Sequence, residues 1–296
     1  MTPELSICIA SYGEDCSPLL QALGNEIALR NIAAEILVSD NAPEIHGKAA
    51  WWNEFPHTQY FHERQHLGRS QNRNALSRRA NGQYLLFMDA DSIPCNANFL
   101  EVYMAVMKSG AQVAVGGTAY KPWNSSPAPL RVRIGAIKEA VPAATRNKHP
   151  YAGFSAFNFC ITAECFTNIG GFEELDHYGH EDTLFGIALE ENQAKIIHLD
   201  NPAYHLGIDS NEEYLAKVNT ATEALGKLFL ENRTNNGITL IRFYKALNRT
   251  GLVGAYTNLF QRYRPGMEKR LLAGKGSPRL LDFYKLGVLT SYLRPA

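Results

Sequence analysis

Among the 296 residues of this chain, two groups of acidic side chains have a spacing that suits chemistry. Asp89-Ala90-Asp91 sets two carboxylates one residue apart, directly behind the apolar run 84–88. Such a pair can grip a hard divalent cation, Mg2+ or Mn2+, while the cation also takes phosphate oxygens. The plain alternative is a turn, with Asp91 capping the segment that begins near Pro94. The second group is Gly170-Gly171-Phe172-Glu173-Glu174 followed by Tyr178-Gly179-His180-Glu181-Asp182. A carboxylate at the head of a helix can take a proton from a bound hydroxyl, or it can simply favour the positive end of that helix. Tyr204-His205-Leu206-Gly207 adds an imidazole, which is either an acceptable partner for Mn2+ or a hydrogen-bonded structural group. His177 and His180 stand three apart, but the intervening Gly179 argues for a loop.

These groups need elements to carry them, and the first 120 residues supply strands and helices in alternation. Residues 5–10, 35–39, 60–62, 84–88 and 112–115 read as short apolar strands, and 17–31, 70–79 and 97–109 have helical spacing. That rhythm implies an α/β fold with a mostly parallel sheet and helices on both faces. In such sheets ligands bind outside the carboxyl ends of the strands, where Asp40 and Asp89 each end an apolar run. A Pro- and Ser-containing stretch, 121–150, is expected to form loops with one short helix. The pattern resumes with 154–161, a short helix after Thr162, a helix over about 181–191 and a strand at 195–199. Beyond residue 211 only helical spacing remains, in Leu215, Val218, Leu225, Leu228 and Phe229 and again in Ile238, Ile241, Tyr244 and Leu247. The spacing predicts a boundary near Ser210, between a domain at 1–210 and a basic, mainly helical region at 211–296.

Several nucleotide sites are excluded. Ser11-Tyr12-Gly13-Glu14-Asp15 has one glycine where a dinucleotide-binding turn needs three, and no phosphate-cradling G-x-x-x-x-G-K-S/T loop occurs. Asp89 itself is open to two chemistries. As the nucleophile of a haloacid-dehalogenase-like phosphatase it would sit on the first strand of its domain, yet at least three strands come before it. As part of a metal-binding pair on a later strand it suits a nucleotide-sugar glycosyltransferase.

Four further segments make the chain resemble the family 2 glycosyltransferases of the GT-A fold over roughly residues 3–206. Ser6-Ile7-Cys8-Ile9-Ala10-Ser11-Tyr12 is similar to that family's first strand, and Glu35-Ile36-Leu37-Val38-Ser39-Asp40-Asn41 to its second. Gly68-Arg69-Ser70-Gln71-Asn72-Arg73-Asn74 resembles its glycine with Arg-Asn five residues on, and the Gly-Gly-Phe turn with Glu181-Asp182 its acceptor-side signature. The resemblance implies that Ala10 and Tyr12 lie against the nucleotide and that Asp40 hydrogen-bonds the base. Arg73 then faces the nucleotide or diphosphate, beside Asp89 and Ala90. Asp89, Asp91 and His205 would hold Mn2+ or Mg2+, Asp182 would be the catalytic base, and Glu181 would orient the acceptor. His66, where the family often has Asn, receives no role, and Asn158 lies where the family has a polar residue near the donor sugar.

The implied activity is metal-dependent, inverting transfer of a sugar from a nucleotide diphosphate, UDP above all, to a hydroxyl of a glycan or lipid-linked acceptor. Surface polysaccharide or related glycan synthesis is the implied setting, and loops 121–151 and 178–182 are expected to choose sugar and acceptor. A haloacid-dehalogenase-like phosphatase using Asp89 and a non-catalytic nucleotide-binding scaffold are the alternatives.

Twenty-nine basic and 29 acidic residues cancel, which speaks against a nucleic-acid binder. The zero hides a division: residues 211–296 hold 14 Lys or Arg against 6 acids, +8, and residues 1–210 hold 15 against 23, −8. No run reaches the roughly 18 apolar residues of a membrane span, and the N-terminus lacks a signal-peptide pattern. The expectation is a cytoplasmic protein. Interleaved aromatic and basic residues at 240–249 and 260–264 suit contact with the inner face of a membrane, an acceptor or a second subunit in a homodimer. Five cysteines without CxxC spacing read as buried free thiols.

Overall fold

The computed structural model describes residues 2–43, 51–63, 67–175, 178–235 and 237–294; His66 and His177 lie outside them. In chain order the elements are β1 (Leu5–Ser11), α1 (Ser17–Arg30), β2 (Ala34–Asp40), β3 (Thr58–His62), α2 (Arg69–Arg79), β4 (Tyr84–Asp89), β5 (Ser92–Pro94) and α3 (Phe99–Lys108). Then come β6 (Val113–Val115), β7 (Thr118–Ala119), α4 (Leu130–Lys138), α5 (Ala143–Arg146), β8 (Asn158–Thr162), α6 (Ala163–Ile169) and α7 (Glu181–Glu191). The chain closes with β9 (Ile196–His198), β10 (Ala203–His205), α8 (Asn211–Leu230), α9 (Thr239–Arg249), α10 (Val253–Leu272) and α11 (Pro278–Leu293). Where one short helix is expected in 121–150 there are two, because Leu130, Val132, Ile134 and Ala143 find buried places between the prolines.

Among the described residues, seven strands form one sheet in the order β3-β2-β1-β4-β8-β6-β9. Side chains leave it with a period of two. Leu5, Ile7 and Ile9 of β1 pack with Leu19, Leu20 and Leu23 of α1 and with Phe99 and Tyr103 of α3. On the opposite face Cys8, Leu37 and Phe87 meet Phe159, Phe166, Phe172 and Phe185. Strict alternation into two apolar layers is what a sheet covered on both faces requires, and each fully buried Leu, Ile or Phe contributes roughly 1.5–3 kcal/mol. Four of the five cysteines, Cys8, Cys16, Cys160 and Cys165, are buried free thiols within these layers, and Cys95 is half-buried.

Strands β3, β2, β1 and β4 run parallel, whereas β8 runs against both β4 and β6. The chain re-enters the sheet at the end where β6 left it. Three short strands form a second sheet, β5-β10-β7. They are too brief to register as apolar runs, yet β5 starts directly after Asp91 and β10 ends on His205.

Two compact units emerge. The first takes in the described residues of 2–121, 140–175 and 181–207, and the second those of 122–139, 178–180 and 208–294. In the second, α8 opens on a reciprocal cap: the Ser210 hydroxyl accepts from Glu213 N at 3.1 Å, and Glu213 accepts from Ser210 N at 2.9 Å. Its helices share apolar layers built on Leu215, Phe260, Leu281 and Tyr284 and on Leu225, Ile241, Tyr244 and Leu289. The helices approach closely at Gly287, where a Cβ would stand 2.1 Å from the Phe260 ring.

Candidate active site

Strand pairing gathers the carboxylates. In the parallel register Ala10 of β1 lies opposite Asp89 of β4, and Ser11 lies opposite Asp40 of β2. All three strands therefore deliver their last residues to one edge of the sheet, beside the point where the strand order reverses around β1.

Asp40 is 2% exposed and filled by its own chain. Its Oδ1 accepts from Gly13 N and from Ala42 N, both at 2.9 Å, and its Oδ2 accepts the Tyr60 hydroxyl at 2.8 Å. Tyr60 stacks on Trp52 with 4.2 Å between ring centres. Burial and the bond to Asp40 raise its phenol above its ordinary value, which keeps it a donor. Of the two lone pairs on Oδ2, Tyr60 takes one. Gly13 adopts φ +78° there, a conformation that favours glycine. Tyr12, one residue earlier, is 54% exposed.

Behind β4, the chain turns at Asp89-Ala90-Asp91 and returns as β5. The Ser92 hydroxyl donates to Asp89 O at 2.6 Å, and Leu206 N donates to Asp91 O at 2.7 Å. Antiparallel pairing of β5 with β10 sets His205 opposite Ser92, and His205 Nε2 stands 3.7 Å from Asp91 Oδ2. The imidazole stacks nearly parallel to Phe157 at 5.2 Å and Tyr120 at 5.8 Å. A Cβ on Gly207 would come within 2.1 Å of Asp91 Oδ2, so a larger residue there would displace that carboxylate. Burial, then the charges of Asp89 and Glu14, push the Asp91 carboxyl up to about 6, and Arg69 opposes them.

Helix α2 supplies the cations. Its polar face turns inward, with Asn72, Arg73 and Asn74 all buried. Asn74 clamps the Gly-Gly-Phe turn: its Nδ2 donates to Phe172 O at 2.7 Å and its Oδ1 accepts from Phe172 N at 2.9 Å. A Cβ on Gly171 would intrude on that Oδ1 at 2.8 Å. Arg73 Nη2 donates to Asp89 Oδ1 at 2.7 Å, its Nη1 lies 3.6 Å from Glu181 Oε1, and Arg69 reaches the same Glu181 oxygen at 4.0 Å. One guanidinium thus spans the end of β4 and the head of α7.

Glu181 is buried and Asp182 half-buried in the first turn of α7. Burial first and Glu181 second push the Asp182 carboxyl up to about 6, against the pull of its bond from Thr183 N and of Arg73 and Arg69. A carboxylate so poised is ionised at neutral pH yet more basic than an ordinary one, which suits proton abstraction.

Among the described residues, no three potential ligands gather into a metal cage. The donors nevertheless fit a divalent cation that brings oxygen ligands with its substrate: Asp91 and His205 offer carboxylate and imidazole, and Asp89 keeps the oxygen that Arg73 leaves. Two further histidines are engaged elsewhere. His198 bonds Arg146 Nη1 and Pro150 O, and His180 bonds Ala221 O. Asn158 is inside the protein, with Oδ1 accepting from the Tyr103 hydroxyl and Nδ2 donating to Gly117 O and Asn201 O.

Four residues at this edge carry no motif of their own. Arg69 is one turn before Arg73, the i, i+4 spacing of one helix face, and that spacing is the signal for it. Glu14, Tyr120 and Phe157 are near only because of the fold.

No curated protein matches this sequence. Among solved structures, residues 1–349 of S. aureus TarS superpose with a TM-score of 0.50 at 17% identity, covering 95% of this chain and 89% of that one. The same TarS segment in complex with UDP-GlcNAc matches with the same score, identity and coverage. At that identity the likeness establishes a shared fold. The family model "Glycosyl transferase family 2" matches residues 6–171, more than half of the chain and reaching from β1 past Asp89-Ala90-Asp91 to Gly171, so the chain belongs to the family 2 glycosyltransferases.

Proposed function

We propose that this chain moves a sugar from a UDP-sugar to a hydroxyl of a glycan or lipid-linked acceptor, with inversion, in surface polysaccharide or related glycan synthesis. The observation that carries this reading is Arg73, which ties Asp89 to Glu181 and so makes one site of the strand-end carboxylates and the acidic head of α7. The UDP-GlcNAc held by TarS makes a UDP-sugar the first donor to try.

Tyr12 and the remaining lone pair of Asp40 bind the nucleotide, with Ala10 and Ala90 against it, and Arg69 and Arg73 counter the diphosphate charge. Asp91 and His205, with the open oxygen of Asp89, would hold Mn2+ or Mg2+. Such an ion, when bound, offsets the charge that grows on the leaving diphosphate. Asp182 takes the acceptor hydroxyl proton while that oxygen attacks the anomeric carbon. The bond from this carbon to the diphosphate oxygen breaks, and UDP leaves with the electron pair. Glu181, anchored by Arg73, orients the acceptor.

The test is a thermal-shift series. UDP with Mn2+ raises the melting temperature of the wild type, and Asp91→Ala removes that rise. The absence of any shift with UDP, GDP or dTDP overturns the donor-site assignment.

A further inference from the structure

The second unit carries a surface that the transfer reaction does not use. Leu252 caps α10, and Leu259 and Tyr263 follow it at i+7 and i+11, hence on one face; the three are 52%, 56% and 56% exposed. Half-buried Tyr256, on the same face, donates its hydroxyl to Phe283 O at 2.9 Å, which brings α11's Phe283, also 56% exposed, beside the stripe. A soluble surface scatters such side chains singly, and a contiguous row marks something that covers it.

Charge says what the cover is. From Thr239 to Leu293 the chain has ten Lys or Arg and two acids, and both acids are engaged within the unit. Glu268 pairs with Arg264 at 2.9 Å, and Asp282 pairs with Lys138 at 2.7 Å. Exposed cations flank the apolar row. Arg262 is three residues from Leu259, Arg270 continues the α10 face, and Arg279 lies one turn before Phe283. A second copy of this face would meet it with the same positive charge, which disfavours self-association. Among the described residues no helix is long and apolar enough to cross a membrane, so the face can lie on a bilayer without spanning it. Phe260, in the middle of the aromatic and basic segment 260–264, points instead into the unit's core.

We propose that the α10 face, extended by Phe283, docks on an anionic lipid bilayer. The apolar row enters the interface while the arginines meet acidic headgroups. The proposal stands apart from the donor-site reading, because the residues it uses belong to no proposed nucleotide, metal or acceptor site.

The full chain tests it by sedimentation with vesicles of phosphatidylcholine alone or with added phosphatidylglycerol. Binding appears only with phosphatidylglycerol. It falls about fivefold for each of Arg262→Gln and Arg270→Gln, the effect of one cation near an anionic surface. It falls more than tenfold in Leu259→Ser/Tyr263→Ser, which loses buried apolar area. These side chains are exposed, and unchanged melting temperatures show that the variants fold. Three results overturn the proposal: no binding to phosphatidylglycerol vesicles, binding that ignores Leu259→Ser/Tyr263→Ser and is therefore simple polyanion capture, or a dimer in solution that these two substitutions dissolve.

Discussion

Asp40 and Asp182 are both half or wholly buried carboxylates at the ligand edge of one unit, and they are built in opposite ways. Asp40 receives three hydrogen bonds from its own chain, two from backbone amides and one from Tyr60. Asp182 is pushed up to about 6 by burial first and the charge of Glu181 second. The first stabilises the turns that follow β1 and β2; the second costs stability and has the raised basicity that its proposed role needs. Donors around a carboxylate stabilise its charged form, whereas burial and like charge raise its basicity.

The strongest way to break this comparison is to neutralise the proposed base. Asp182→Asn keeps the shape and removes the proton acceptor, so turnover with a UDP-sugar and its acceptor falls about a thousandfold, within the usual range for a lost general base. The UDP-dependent thermal shift survives, because Asp182 is not asked to hold the nucleotide. Turnover within tenfold of wild type would remove Asp182 from the mechanism.

Asp40 sharpens the other side. Asp40→Ala leaves Gly13 N, Ala42 N and the Tyr60 hydroxyl without their acceptor in a buried place, at a cost of about 3 kcal/mol. Chemical denaturation of the nucleotide-free protein measures it. A loss under about 1 kcal/mol would remove Asp40 as the latch of these turns and leave it only the nucleotide contact proposed for it.

How much of this was readable beforehand follows from the range of the interactions. The strands of the parallel half announce themselves because alternation and runs such as Leu5–Ser11 and Tyr84–Asp89 are local; Asp89 and Asp182 sit at element ends that the pattern locates, and Arg73 sits inside a helix that it locates. The small sheet β5-β10-β7 is hidden, since strands of two or three residues leave no period. Asn74 and Phe172 bond across 98 positions, and the Phe157–His205–Tyr120 stack joins three distant segments. Gly207 is legible only after Asp91 Oδ2 is seen beside it. The filled state of Asp40 is likewise tertiary: its motif marks an acid that ends a strand, while Tyr60, which occupies Oδ2, arrives from β3.

The smallest effect separates the two carboxylates by sign. A group whose folded pKa lies above its unfolded value binds its proton more tightly in the native state, so it lowers stability as pH rises. For Asp182 that penalty is absent below about pH 4 and complete above about pH 6, the interval between the ordinary 3.8 and its raised value. Two pH units correspond to a ceiling of about 3 kcal/mol, and the partial solvent contact of a half-buried group reduces the effect to about 1 kcal/mol. Asp182→Asn, the variant that loses turnover, is therefore more stable than wild type by about that amount at pH 7.5 in the nucleotide-free protein, and the gain vanishes at pH 4. Denaturation at the two pH values checks it. A substitution that destabilises at pH 7.5, as Asp40→Ala does, would place Asp182 among the carboxylates that hold the fold.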